Sequence, residues 1–98
     1  QREAAAEDLM LACRMTRGVG SDLLVRSANI IPEDELAAAC DRAFELGLAS
    51  WVSDDAKGHA GRVTSKDVIE GRTRARLAPT HLGWLDGNVL FELFWDLA

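Results

Sequence analysis

The stretch PEDELAAACDRAFELGL, residues 32–48, constrains the fold more than any other because both of its ends are marked. Pro32 suits the first helical position, and Glu33, Asp34 and Glu35 suit the positive end of a helix dipole. Leu36, Ala39, Cys40, Ala43 and Phe44 recur at steps of three and four and line one apolar face. Gly47 then supplies the left-handed residue on which helices commonly stop. A helix bounded in this way and apolar on one side must be covered by the rest of the chain.

Residues 2–16 read as a first helix, with Ala5, Leu9, Ala12 and Cys13 on one face and Gly18 at its end. Ser21 and Asp22 offer a cap for a short second helix through Leu23, Leu24 and Val25, which breaks at Asn29 to Ile31. After the third helix, residues 48–53, with Trp51 and Val52, read as a strand. A second strand fits residues 73–78, where Ala75 and Leu77 alternate with Arg74 and Arg76. Residues 54–72 between them, about twenty in number, are too long for a tight hairpin and are expected to be mobile or only partly ordered. Thr80 caps a last helix that runs through Trp84 and Leu85 to about Leu97, weakened locally by Gly83 and Gly87. The expected class is mainly α within α+β: a winged-helix-like three-helix core, a two-stranded β-hairpin wing and an added C-terminal helix. Ninety-eight residues suffice for one such domain, covering 1–98.

A helix-turn-helix order invites a nucleic-acid reading, and charge argues against it. The net charge is −5, and the solvent side of the third helix offers Glu33, Asp34, Glu35, Asp41 and Glu45 against Arg42 alone. Arg72, Arg74 and Arg76 suit an edge strand kept from pairing better than a phosphate contact. No apolar run has the length needed to cross a bilayer, and the opening QREAAAEDLM lacks the pattern of a signal peptide. With no initiator methionine, the chain reads as a piece of a longer protein. Its two cysteines, Cys13 and Cys40, are expected as reduced core residues, in keeping with a cytoplasmic setting. They lie too far apart to suggest a zinc or iron–sulfur site. His59 and His81 have no paired carboxylate or nucleophile at catalytic spacing, and KGHAGR lacks the spacing of a phosphate loop. Binding of haem by the chain itself would rest on His81 and the cysteines as axial ligands. No catalytic or metal-ligating set emerges, so the chain alone is not expected to be an enzyme.

The closing segment is more apolar than a small core requires. At helical spacing Leu82, Leu85, Val89 and Leu93 form one stripe, expected to cover the first and third helices. Trp84, Phe91 and Trp95 lie to one side of it and Leu90, Phe94 and Leu97 to the other. Helices apolar over so wide an arc are normally buried on more than one side. Trp84, Phe91, Phe94 and Trp95 are therefore the expected interface, to another domain or to a second copy.

The order of motifs resembles the C-terminal domain of oxygen-independent coproporphyrinogen III oxidases and the closely similar haem chaperones, which are radical S-adenosylmethionine proteins. In EDLMLACRMTRGV the matching positions are Glu7, Leu9, Leu11, Arg14 and Gly18; Gly47 and Leu48 follow, and then Leu77, Thr80, Gly83 and Asn88 before an apolar helix. The likeness spans nearly the whole chain, although residues 54–72 exceed the short wing usual in that family. It implies an upstream barrel that binds a [4Fe–4S] cluster through a CxxxCxxC motif together with S-adenosylmethionine. The longer protein would decarboxylate coproporphyrinogen III or deliver haem. This domain would pack on the barrel and help close the tetrapyrrole side, binding no cofactor itself.

Overall fold

The computed structural model of the chain describes residues 2–15, 17–53 and 63–98. Three helices lead: α1 (Arg2–Ala12), α2 (Ser21–Ser27) and α3 (Glu33–Glu45). They are followed by β1 (Ala49–Ser53), α4 (Ser65–Ile69), β2 (Ala75–Pro79), α5 (His81–Leu85) and α6 (Gly87–Trp95). The molecule is mainly helical with one antiparallel strand pair, an α+β arrangement in winged-helix order.

The third helix forms where its end signals place it. Pro32 precedes its first turn, and Leu36, Ala37, Ala39, Cys40 and Ala43 are buried along one side. Phe44 is a correction to that face: on the last turn, it lies at the edge of the buried side and is 54% exposed. Gly47 (φ +75°) closes the helix, and the Leu48 amide donates back to the Ala43 carbonyl at 3.0 Å. This closing turn points Leu48 into the core.

β1 and β2 pair from Ala49 opposite Pro79 to Ser53 opposite Ala75, so the second strand starts two residues later than the arginine alternation suggested. Val19 adds a single bridge on the far side of β2, exchanging hydrogen bonds with Leu77 at 2.9 and 2.8 Å. That bridge reassigns Gly18. α1 stops at Ala12, and Gly18 (φ +76°) lies where the incoming chain runs against β2; a Cβ there would sit 2.1 Å from the Leu77 carbonyl oxygen. Only glycine tolerates both the conformation and the approach.

Two further expectations are corrected. Residues 63–72 are not a loose wing tip, because they hold α4, packed against α2 and α3; residues 54–62 lie outside the described residues. The Thr64 hydroxyl caps α4 by accepting from the Asp67 amide at 3.2 Å, and the buried Ser65 hydroxyl donates to Asp41 of α3 at 2.5 Å. Val68 and Ile69 are buried in the main core. The last helix, expected as one piece, is broken at Asp86 (φ −110°, ψ 43°) into α5 and α6. The break resets the helical phase, so Leu90, Phe94 and Leu97 form the buried line, against α1 and α3, while Leu82, Leu85 and Val89 are exposed. Among the described residues no helix is long and apolar enough to cross a membrane.

Burial of α4 has a direct consequence. Ile69→Ala is expected to lower the unfolding free energy by about 2–4 kcal/mol in a urea titration, as for other fully enclosed aliphatic side chains. A change within about 0.5 kcal/mol, typical of surface positions, would mean that α4 is not part of the core.

Candidate functional site

The start of α5 is fixed on the C-terminal end of α3 by a short set of backbone contacts. The Thr80 amide donates to the Leu48 carbonyl at 3.0 Å. Its hydroxyl donates to the Gly47 carbonyl at 2.5 Å and accepts from the Gly83 amide at 3.1 Å. One hydroxyl thus serves an unpaired acceptor at the end of one helix and an unpaired donor at the start of the next. Gly83 lies so close that a Cβ would stand 2.0 Å from the Leu48 carbonyl oxygen.

Beyond this junction the break at Asp86 opens a groove of about 520 Å³ between the end of the α1 segment and the α5–α6 turn. Its lining includes Cys13 and Arg14 from one side and Gly83, Trp84, Asn88 and Phe91 from the other. The Arg14 guanidinium lies over the Phe91 ring, 4.7 Å from its centroid, in cation–π geometry. Arg14, Gly83 and Asn88 from the motif set therefore meet Trp84 and Phe91 from the expected interface. Asp86, Leu85 and Val89 also line the groove. Leu85 and Val89, expected on the stripe that covers the first and third helices, instead border the groove, and the only cue to Asp86 was the pair of helix-weakening glycines around it.

The remaining singled-out residues lie elsewhere. Glu7 is exposed on α1, Gly18 sits at the Val19 bridge, and Thr80 acts beneath the groove through its backbone contacts. Trp95 is 41% exposed on the outer side of α6. Phe94 is corrected: it is fully buried among core residues, so it cannot present an interface. Trp84, at 54%, and Leu85, at 69%, are the most exposed of the large apolar side chains in α5.

The groove has no activated nucleophile. Cys13 borders it but is itself buried, and burial pushes its thiol from 9.0 up to about 12. Cys40 is shifted up further, by burial first and then by Cys13 and Asp41. Both are free thiols. Among the described residues no group of three or more His, Cys, Asp or Glu side chains is placed to hold a metal ion. His81 is exposed at the first turn of α5, whereas both thiols are buried, and His59 lies outside the described residues. With two cysteines in all, the chain does not contain the three thiolates of a CxxxCxxC cluster site.

The three wing arginines each have a partner within the chain. Arg72 pairs with Asp67 at 2.9 Å and Glu70 at 2.5 Å, Arg74 stands 3.8 Å from Asp22, and Arg76 donates to the Arg17 carbonyl at 3.2 Å. At the start of α3, Glu33 hydrogen-bonds Glu70, and that bond holds its carboxyl above the usual range. The chain matches no family model, no curated protein and no solved structure.

The buried thiol makes a pH prediction. The folded chain keeps the Cys13 proton between 9.0 and about 12 while the unfolded chain releases it, so this contribution to stability is intact below pH 9 and falls as pH rises through that window. The stability advantage of the wild type over Cys13→Ala is expected to shrink above pH 9 by up to roughly 1.4 kcal/mol per pH unit. Urea titrations at about pH 8 and about pH 10.5 measure it, and an advantage that stays constant would contradict burial of the thiol.

Proposed function

We propose that this chain is a non-catalytic C-terminal domain of a radical S-adenosylmethionine protein of the coproporphyrinogen III oxidase and haem chaperone type. In this reading it packs on the upstream barrel through the α5–α6 face and helps close the tetrapyrrole side. The cluster and S-adenosylmethionine belong to the barrel, and the setting is the cytoplasm.

The observation that carries the reading is the meeting of Arg14, Gly83, Asn88, Trp84 and Phe91 around one groove. Motif positions outside the groove also have a common physical role. Gly18, Gly47, Leu48, Leu77 and Thr80 fix β2 and α5 against the rest of the fold through positive φ, close approach and backbone hydrogen bonds. A set that builds one face, with no nucleophile or metal ligands within it, suits a docking module better than a catalytic one. The alternative of a winged-helix nucleic-acid binder meets repulsion from α3 and arginines already engaged.

The test joins sequence to footprinting. Sequence upstream of Gln1 is expected to encode a barrel-sized region with a CxxxCxxC triplet. In that longer protein, hydroxyl-radical labelling of Trp84 and Leu85 is expected to fall several-fold relative to the 98-residue chain. Absence of the triplet, or equal labelling in both proteins, would overturn the reading.

A further inference from the structure

We propose that the element docking on the α5–α6 face is an amphipathic helix carrying lysine or arginine beside large apolar side chains. The proposal rests on the docking reading above and names the chemistry of its partner.

On α6 the exposed positions Val89, Glu92 and Trp95, with Asp96 at its end, fall on one side, because Leu90, Phe94 and Leu97 take the other. Trp84, Leu85 and Asp86 extend that surface across the α5–α6 turn. It therefore alternates large apolar groups with three carboxylates. None of Asp86, Glu92 and Asp96 forms an ion pair among the described residues. Glu92 and Asp96 also stand at the negative end of α6, whose last turn holds no basic residue. Arg2 does reach this end, donating to the Leu97 carbonyl, but its guanidinium is shared with Glu35. Two exposed acids and a helix C-terminus thus share the last turn of α6 with the partly exposed Trp95. A cationic side chain laid there gains the carboxylates, the dipole and the ring face together.

The same charges disfavour the other occupants. A second copy in a two-fold contact through this face would crowd Asp86, Glu92 and Asp96 of both chains into one interface and add a second net charge of −5. An anionic lipid surface would be repelled in the same way. An apolar helix without cations would cover Trp84, Leu85 and Trp95 but remove water from unpaired carboxylates, at a desolvation cost.

The 98-residue chain is titrated with a designed helical peptide of leucine and lysine, and with the same peptide in which glutamate replaces lysine, following backbone amide shifts by NMR. The lysine peptide is expected to bind, with shifts confined to α5, α6 and the end of the α1 segment. Its affinity is expected to fall at least about tenfold in Glu92→Lys/Asp96→Lys. It is expected to change less than about twofold in Asp34→Lys/Glu45→Lys on α3, which alters the net charge equally. Equal binding of the two peptides, equal losses in the two variants, or self-association of the chain through α5–α6 would each overturn the proposal. Failure of the lysine peptide while Trp84 stays shielded in the longer protein removes the basic helix and leaves the docking reading intact. Unshielded Trp84 removes both.

Discussion

The approach of Gly83 to the Leu48 carbonyl is the contact on which the rest of the arrangement depends. It seats the first turn of α5 on the last turn of α3, with Thr80 bonded to both helix ends. Helix ends carry unpaired backbone groups, and a small domain has little stability with which to bury them unmet. Here three consecutive needs are met within four residues: the carbonyls of Gly47 and Leu48 and the amide of Gly83 all find partners. A side chain at position 83 would separate the two ends and disperse that set.

From this junction the other features follow. With α5 held against α3, the chain can reach the core with its final helix only by turning, and it does so at Asp86. The turn leaves Leu82, Trp84 and Leu85 outside while Leu90, Phe94 and Leu97 enter between α1 and α3. Apolar character that looked excessive for one helix thus belongs to two short helices with different duties. α6 completes the core, and α5 with the outer side of α6 forms an exposed apolar and acidic surface beside the Arg14 groove. On the other flank, Gly18 and Val19 brace β2 by backbone contact, with the Val19 side chain buried in the core as well.

Much of the fold was legible because its signals are local. Pro32 with its acids, Gly47, and the alternation of Ala75 and Leu77 with Arg74 and Arg76 each report on a few neighbouring residues, and each marks an element that exists. The misses arise where tertiary contacts decide. α4 has five residues, too few to show a helical period, and its place in the core comes from Val68 and Ile69 meeting α2 and α3. A single helical phase carried through Asp86 puts Phe94 on the surface and Val89 in the core, and the break at Asp86 reverses both. The groove was legible only in part. Trp84 and Phe91 stood out as surplus apolar residues, and Arg14 and Asn88 stood out through resemblance. Their meeting depends on α1 and α6 lying side by side, which no spacing in the chain reveals.

The most direct measurement compares Gly83→Ala with Gly87→Ala by chemical denaturation and amide exchange. At position 87 an added methyl meets only the Phe91 ring edge at 3.4 Å, so stability should stay within about 0.5 kcal/mol. At position 83 it meets a backbone oxygen at 2.0 Å, which cannot move without shifting the end of α3. Gly83→Ala should lose about 3 kcal/mol or more, as severe overpacking does, with the amides of Thr80 and Gly83 losing protection while those of α1 and α2 keep theirs relative to the remaining stability. Equal stability of the two variants would contradict the claim that the α3–α5 junction holds the final helices, and the face they present, in place.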